Sequence, residues 1–274
     1  MITCVLQGGL GNQMFQIAAT VGAAVPRKIP FAFDPGTWPE KGGATSEVFQ
    51  ANNPEKYLTS VFSRLPFMEL LPHLNGYDIY RETQYHYKPL TDSKEVILIG
   101  YFQSEKYFSH VSETIIKIFK PDQSIVANFN KKYRTDNKPI VGIHVRRGSH
   151  LKNPHYHGSC TADYFLQAIK QFDSNCKYLI FSDDMNWCRN VFKGKNFIFS
   201  DNSEDFLDFY DLSLCDHNII CNSTFSWWAA WLNENKNKKI ISPTKWYGPG
   251  NSHFQLHDLI PEGWIKLQNN LEGE

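Results

Sequence analysis

The chain has no long apolar run, no excess of charge of either sign and no closely paired cysteines, and each absence removes a class of protein. Its longest apolar stretches fall well short of the length needed to cross a bilayer. Lys+Arg and Asp+Glu balance at 28 each, so there is no overall basic field to hold nucleic acid, and any anion site must be local. Cys4, Cys160, Cys176, Cys188, Cys215 and Cys221 form no C-x-x-C pair. The N-terminal "MITCVLQGGLGNQ" lacks the basic and long apolar regions of a secretion signal. The expectation is a cytoplasmic protein with buried free thiols, no integral membrane segment and at most peripheral contact with a membrane. The early loop "GGLGNQ" contains Gly9-Leu10-Gly11, but Met14 stands where a third dinucleotide-fold glycine belongs. The lysine of a P-loop is missing as well, which argues against an NAD or ATP cradle.

What is present is a globular composition, 42% hydrophobic and 15% aromatic over 274 residues. A short apolar run, "ITCVL", leads through "QGGLGNQ" into the helix-period segment "MFQIAATVGAAV". Residues 34–93 are rich in Pro, Gly and aromatics and show no clear period. Order returns with the strand "EVILIGYFQ" and a helix predicted over "SEKYFSHVSETIIKIF", with Ser104 placed to cap it. The polar stretch "KKYRTDNKP" marks the domain boundary, giving domains of 1–136 and 137–274. Beyond it, strands "PIVGIHV", "KYLIFS", "NFIFS", "HNIIC" and "KKIIS" alternate with helices "TADYFLQAIKQF", "DMNWCRNVF", "SEDFLDFYDLSLC" and "SWWAAWLN". Strict β-α alternation with short, nearly continuous apolar strands predicts an α/β fold with a doubly wound parallel sheet. Ligands of such sheets bind beyond the carboxyl ends of the strands.

The unusual polar residues gather at those ends. His144, Arg146 and Arg147 close the first strand of this half. By period-two alternation His144 and Arg146 share one face, while Arg147 falls on the face of Val141, Ile143 and Val145. Ser182, Asp183 and Asp184 end the next strand. Asn222, Ser223 and Thr224 end a later one, directly before a helix, whose free N–H groups and dipole suit an anion. Each group also has a structural reading: Asp183 and Asp184 as a helix cap, Asn222 to Thr224 as another, Trp227, Trp228 and Trp231 as core, Asp208 and Asp211 as solvent-facing. Taken together they match a nucleoside diphosphate, with guanidinium and helix end for the phosphates and carboxylates for base or ribose.

The segments "GGLGNQMFQ", "GYFQSEKYF", "HVRRGS", "FSDD" and "CDHNIICNSTFSWWAAWLN" resemble, in order and over nearly the whole chain, the motifs of glycosyltransferase family 11, the α-1,2-fucosyltransferases. The resemblance implies a GT-B architecture, two Rossmann-like domains facing across a cleft. The N-terminal domain would take the acceptor side and the C-terminal domain GDP-fucose. It implies inverting transfer of L-fucose from GDP-β-L-fucose to the 2-hydroxyl of a terminal β-galactoside in a glycan, without a metal or other cofactor. Carried over by motif, Arg146 grips the diphosphate and His144 helps seat the nucleotide. Looser similarity to other fucosyltransferases places Asn222, Ser223, Thr224 and Phe225 along the phosphates and Asp184 or Asp208 on guanosine. Gly9, Gly11, Asn12 and Gln13 would form a glycine loop facing the cleft. The family motif ends in Asp where this chain has Ser149, which leaves neighbouring His150 as the candidate general base. The alternatives are transfer from another nucleotide sugar and a non-catalytic glycan-binding protein.

Overall fold

The structure, a computed structural model, describes residues 1–35, 54–70 and 73–272. The chain divides into two compact units, Met1–Lys120 with Phe254–Pro261, and Pro121–His253 with Glu262–Glu274. The division falls after Lys120, ahead of the polar stretch that suggested 136. The reason is a helix over residues 123–133, which runs into that stretch and belongs to the second unit.

In the first unit β1 (Ile2–Cys4), fully buried, runs into helix α1 (Leu10–Ala24). Gly8 turns the chain at φ +74, and Gly9 at φ −73 and ψ 175 is the residue from which α1 starts. Helix therefore begins earlier than "MFQ". Gly11, Asn12 and Gln13, expected in a loop, lie in its first turn, with the N–H groups of Asn12 and Gln13 donating to Gly9 O at 3.0 and 3.1 Å. A side chain on Gly8 would place Cβ 2.5 Å from Asn12 Nδ2, so this turn needs glycine on two counts. β2 (Asp78–Arg81), lying in the stretch without clear period, and β3 (Val96–Ile99) complete a three-stranded parallel sheet in the order β1-β3-β2. Residues 36–53 and 71–72 of that stretch lie outside the described residues. Ser104 caps as predicted, its Oγ accepting from Lys106 N at 3.4 Å. The helix behind it is broken: two 3-10 turns meet at Phe108, with φ −144 and ψ −1, before α2 (Ser112–Phe119).

The second unit opens with α3 (Gln123–Tyr133), whose buried residues are Phe129 and Tyr133. β4 (Ile140–Val145), buried throughout, is followed by the short α4 (Gly148–Lys152), the two-residue β5 (Ser159–Cys160) and α5 (Ala162–Ile169). Next come β6 (Lys177–Ser182), α6 (Met185–Val191), β7 (Phe197–Phe199), α7 (Asp205–Ser213), β8 (His217–Ile219), α8 (Thr224–Leu232) and β9 (Ile240–Pro243). These follow the predicted alternation, and two more strands end the chain. β10 (Ile265–Leu267) joins β9, and β11 (Leu271–Glu272) pairs antiparallel with β5.

The large sheet is parallel throughout, in the order β10-β9-β8-β4-β6-β7. Its first strand in the chain, β4, lies inside. The chain builds outward through β6 and β7, then returns to β4's other side with β8. The order reverses between β4 and β8, the position where doubly wound sheets open a crevice for ligands. Val141, Ile143 and Val145 pack into a core with Tyr164, Phe165 and Ala168 of α5. The opposite face is pressed so closely by α7 that a Cβ on Gly142 would sit 2.7 Å from Leu212 Cδ1 and 2.9 Å from Cys215 Sγ. Trp227 and Trp228 are fully buried, which settles them as core. All six cysteines are buried and free.

Candidate active site

The two strands at the reversal bring His144 and Arg146 of the β4 end together with the chain leaving β8. His144 is buried, its Nδ1 is 3.3 Å from Cys221 Sγ, and its ring lies 5.0 Å from that of Phe225. Phe225 in turn meets Phe209 of α7 at 5.5 Å. Burial first, then the positive Arg146, holds the His144 imidazole well below its ordinary pKa. Burial likewise pushes the Cys221 thiol up to about 12. Both groups are thus neutral at any working pH, and the cation of this corner is Arg146, whose side chain keeps 40% of its surface open.

The nine-residue helix α8 starts from Ser223 in extended conformation, with no side-chain cap and no acidic residue in its first turn. No carboxylate of its own first turn offsets the positive end of its dipole. Ser223, Thr224 and Phe225 are all partly exposed there. Asn222 behaves differently from the expectation that it lines a ligand. It is buried, and its Nδ2 donates to His157 O, Gly158 O and Trp246 O at 3.2, 3.1 and 2.9 Å. The two hydrogens of this one amide are shared among three backbone carbonyls, one of which, Gly158 O, also has His150 Nδ1 at 3.0 Å, so Asn222 is an internal clamp.

The arginine pair separates as the alternation predicts. Arg146 Nη1 meets Asp183 Oδ2 at 3.1 Å. Arg147 turns to the α5 and α6 side, buried, its Nε 3.1 Å from Asp184 Oδ2 and its Nη1 2.5 Å from Glu272 Oε1. Its guanidinium lies 4.2 Å from the centre of the Trp187 ring. Asp184, expected on guanosine, spends its other oxygen as the cap of α6, accepting from Trp187 N at 3.0 Å. A carboxylate with both oxygens engaged inside the protein is a brace, and the cap reading of Asp184 holds. Asp183, grouped with Asp184 at the strand end but given no role of its own by the sequence, pairs with Arg146. The signal for it was present: β4 and β6 are in register with Val145 opposite Ser182, so two arginines and two aspartates leave adjacent strands side by side.

Asp208 lies beyond β7, the edge strand. It accepts from Ser200 Oγ at 2.5 Å and Asn202 Nδ2 at 3.0 Å, and the same Nδ2 reaches Asp211 at 2.8 Å. Burial raises Asp208 to about 6, with the two hydrogen bonds working against the rise. Asp211 is buried, not solvent-facing. His150, on α4, shares its Nδ1 with Gly158 O at 3.0 Å and stacks on His157 at 5.2 Å and 17°. A carbonyl can only accept, so neutral His150 carries its hydrogen on Nδ1 and a lone pair on Nε2. Burial, His157 and Arg146, in that order, lower it to about 4.

In the first unit the start of α1 is lined with amides. Gln13 Nε2 donates to Gly8 O at 2.9 Å, and Gln103 Nε2 to Asn12 Oδ1 at 3.0 Å. Among the described residues no group of three or more His, Cys, Asp or Glu is arranged to hold a metal ion, and no helix is long and apolar enough to cross a membrane.

The model of the Glycosyl transferase family 11 matches residues 1–268. The chain belongs to that family. It is 30% identical to an α-1,2-colitosyltransferase of Escherichia coli, over 96% of this chain and 97% of that protein. It is 29% identical to galactoside α-(1,2)-fucosyltransferase 2 of Sus scrofa, over 96% of this chain and 79% of that one. The fold is that of the fucosyltransferase NodZ from Bradyrhizobium, matched with a TM-score of 0.51 at 15% identity over 83% of this chain and 92% of the other. This family 11 chain is therefore a glycosyltransferase, with galactoside α-1,2-fucosyltransferases among its homologues.

Proposed function

We propose that this glycosyltransferase moves L-fucose from GDP-β-L-fucose to the 2-hydroxyl of a terminal β-galactoside, with inversion, in a GT-B arrangement of its two α/β units. The observation that carries the reading is that Arg146 and the chain leading into α8 leave adjacent, paired strands where the strand order reverses. A guanidinium fork and a ring of N–H groups are what a departing nucleoside diphosphate requires as its charge grows. His144, neutral and held by Phe225, seats the nucleotide without adding charge. Ser223, Thr224 and Phe225 line the phosphates. Asp184 being committed to Arg147 and to a cap, Asp208 is the carboxylate for the guanine N–H groups. The acceptor hydroxyl gives its proton to Nε2 of His150 as its oxygen bonds to the anomeric carbon. The bond from that carbon to the β-phosphate oxygen breaks, and its electrons leave with GDP. No metal is assigned a part, because Arg146 and the helix end supply the positive charge.

Incubation with GDP-fucose and a panel of β-galactosides, followed by mass spectrometry and linkage analysis, tests this reading. A fucosylated product carrying an α-1,2 linkage is expected. GDP binding without any transferred sugar from any donor would overturn it. The similarity to a colitosyltransferase supports one second reading, the same chemistry with another deoxy sugar, and a colitosyl donor belongs in the same panel.

A further inference from the structure

Two loops leave the carboxyl edge of the large sheet beside Arg146, one after β4 and one after β9, and they are sewn together. Gly248 N donates to Tyr156 O at 3.1 Å, Gly250 N to His155 O at 2.8 Å, and Asn251 Nδ2 to Tyr156 O at 3.1 Å. The contact is so close that a Cβ on Gly248 would lie 2.5 Å from Pro154 O, and one on Gly250 2.6 Å from the His155 ring. Because β8 stands between β9 and β4, the joined loops span its end. Asn222 ties both of them down there through His157 O, Gly158 O and Trp246 O. The result is a braced arch, not a pair of independent loops.

The arch is rich in rings, and its charged side chains are the exposed Lys152 and Lys245. His150 stacks on His157, and His157 approaches Tyr247 at 6.2 Å. Tyr156, packed edge-on against His155, leaves half of its surface open, 50%. Residues 150–158 and 244–253 include no carboxylate. Burial keeps His150 and His157 below their ordinary pKa, so their rings are neutral near pH 7. Rigid aromatic groups on a fixed backbone bind with little loss of side-chain freedom. Neutral rings offer a flat face to the C–H side of a pyranose, and tyrosine and histidine edges offer hydrogen bonds to its hydroxyls.

We infer that this arch is the acceptor subsite and that it takes an uncharged pyranose, stacked on Tyr156 beside Tyr247. The inference rests on the transferase reading above and deepens it, by placing acceptor recognition on the same unit as Arg146. The arch includes His150, the group assigned to receive the proton, through its stack on His157.

Lactose is the probe. Tyr156→Ala should raise the lactose KM at least tenfold while calorimetric GDP affinity stays within twofold of the parent. Tyr156→Phe should recover most of the KM lost in Tyr156→Ala, because the ring makes the stack and the hydroxyl only a peripheral hydrogen bond. Saturation-transfer NMR gives a readout without turnover: the lactose signal seen with the parent protein and GDP should vanish in Tyr156→Ala. An unchanged KM, or an unchanged NMR signal, in a Tyr156→Ala protein that still binds GDP would overturn the subsite. Failure of the parent protein to bind GDP strikes instead at the transferase reading, and the lactose signal still decides the arch.

Discussion

Asp183 holds both neighbouring arginine positions at once: its Oδ2 lies 3.1 Å from Arg146 Nη1, and its Oδ1 accepts the Arg147 backbone N–H at 2.8 Å. Gly148 makes the space, since a Cβ there would sit 2.7 Å from Asp183 Oδ2. The guanidinium thus rests on a carboxylate. Asp183→Asn should keep the backbone contact and lose the ion pair, lowering kcat/KM about tenfold through a less well oriented Arg146. Gly148→Ala, which crowds the same carboxylate, should do similar damage. Steady-state kinetics with GDP-fucose checks both, and parental rates in Asp183→Asn would remove this role.

Arg146→Ala should lose transfer by roughly 10²-fold or more, because a charge-assisted contact to the leaving diphosphate strengthens as the sugar bond breaks. Arg146→Lys should recover little, since a point charge cannot reproduce a fork. A lysine variant with full activity would refute the assignment.

Arg147→Ala should act on stability. Removing the guanidinium leaves Asp184 and Glu272 facing each other's charge and uncovers the Trp187 ring. The loss should be about 2–3 kcal/mol, less than for a fully buried pair because both carboxylates keep some solvent. Urea denaturation measures it. Turnover per folded molecule should change far less than in Arg146→Ala.

Stability should fall on acidification. His150 titrates at about 4 in the folded protein against an ordinary 6.5, so between those values the unfolded chain binds a proton that the folded one refuses. Stability from this group is complete above pH 6.5 and is lost as pH falls toward 4. His144 acts in the same direction. Asp208, raised to about 6 from 3.8, opposes them, because the folded protein keeps a proton there that the unfolded chain has released. The urea midpoint should drop from pH 7 to pH 5, less steeply in His150→Gln and more steeply in Asp208→Asn. A midpoint independent of pH in the parent protein would contradict the assignment.

If His150 is the base, His150→Ala should slow transfer by 10²-fold or more while GDP affinity holds. The acid limb of the parent rate profile should then lie near pH 4. Ser149→Asp, which restores the family residue, should leave the rate unchanged or raise it. Normal transfer by His150→Ala across pH 6–9 would place the base elsewhere. Rates in EDTA should stay within about twofold of those in magnesium, less than ~0.5 kcal/mol of barrier.

Read from the sequence alone, the β-α alternation of residues 137–242, the short buried strands and the split of Arg146 from Arg147 were all legible. These are local properties: a period of two assigns a side chain to a face, and a run of apolar residues bounded by polar ones assigns a strand. The early start of α1 was missed because glycines usually mark loops. β2 and β10 were missed because their residues are largely exposed at sheet edges and carry no apolar run. Tertiary structure alone decided that β8 lies beside β4, and so that His144, Arg146 and the α8 N-terminus share one corner. It also decided which carboxylate serves which arginine, that Asn222 is an internal clamp, and that two distant loops form one arch. Those outcomes depend on the order of strands in the sheet and on contacts between residues far apart in the chain, where packing rather than any local pattern selects the partner.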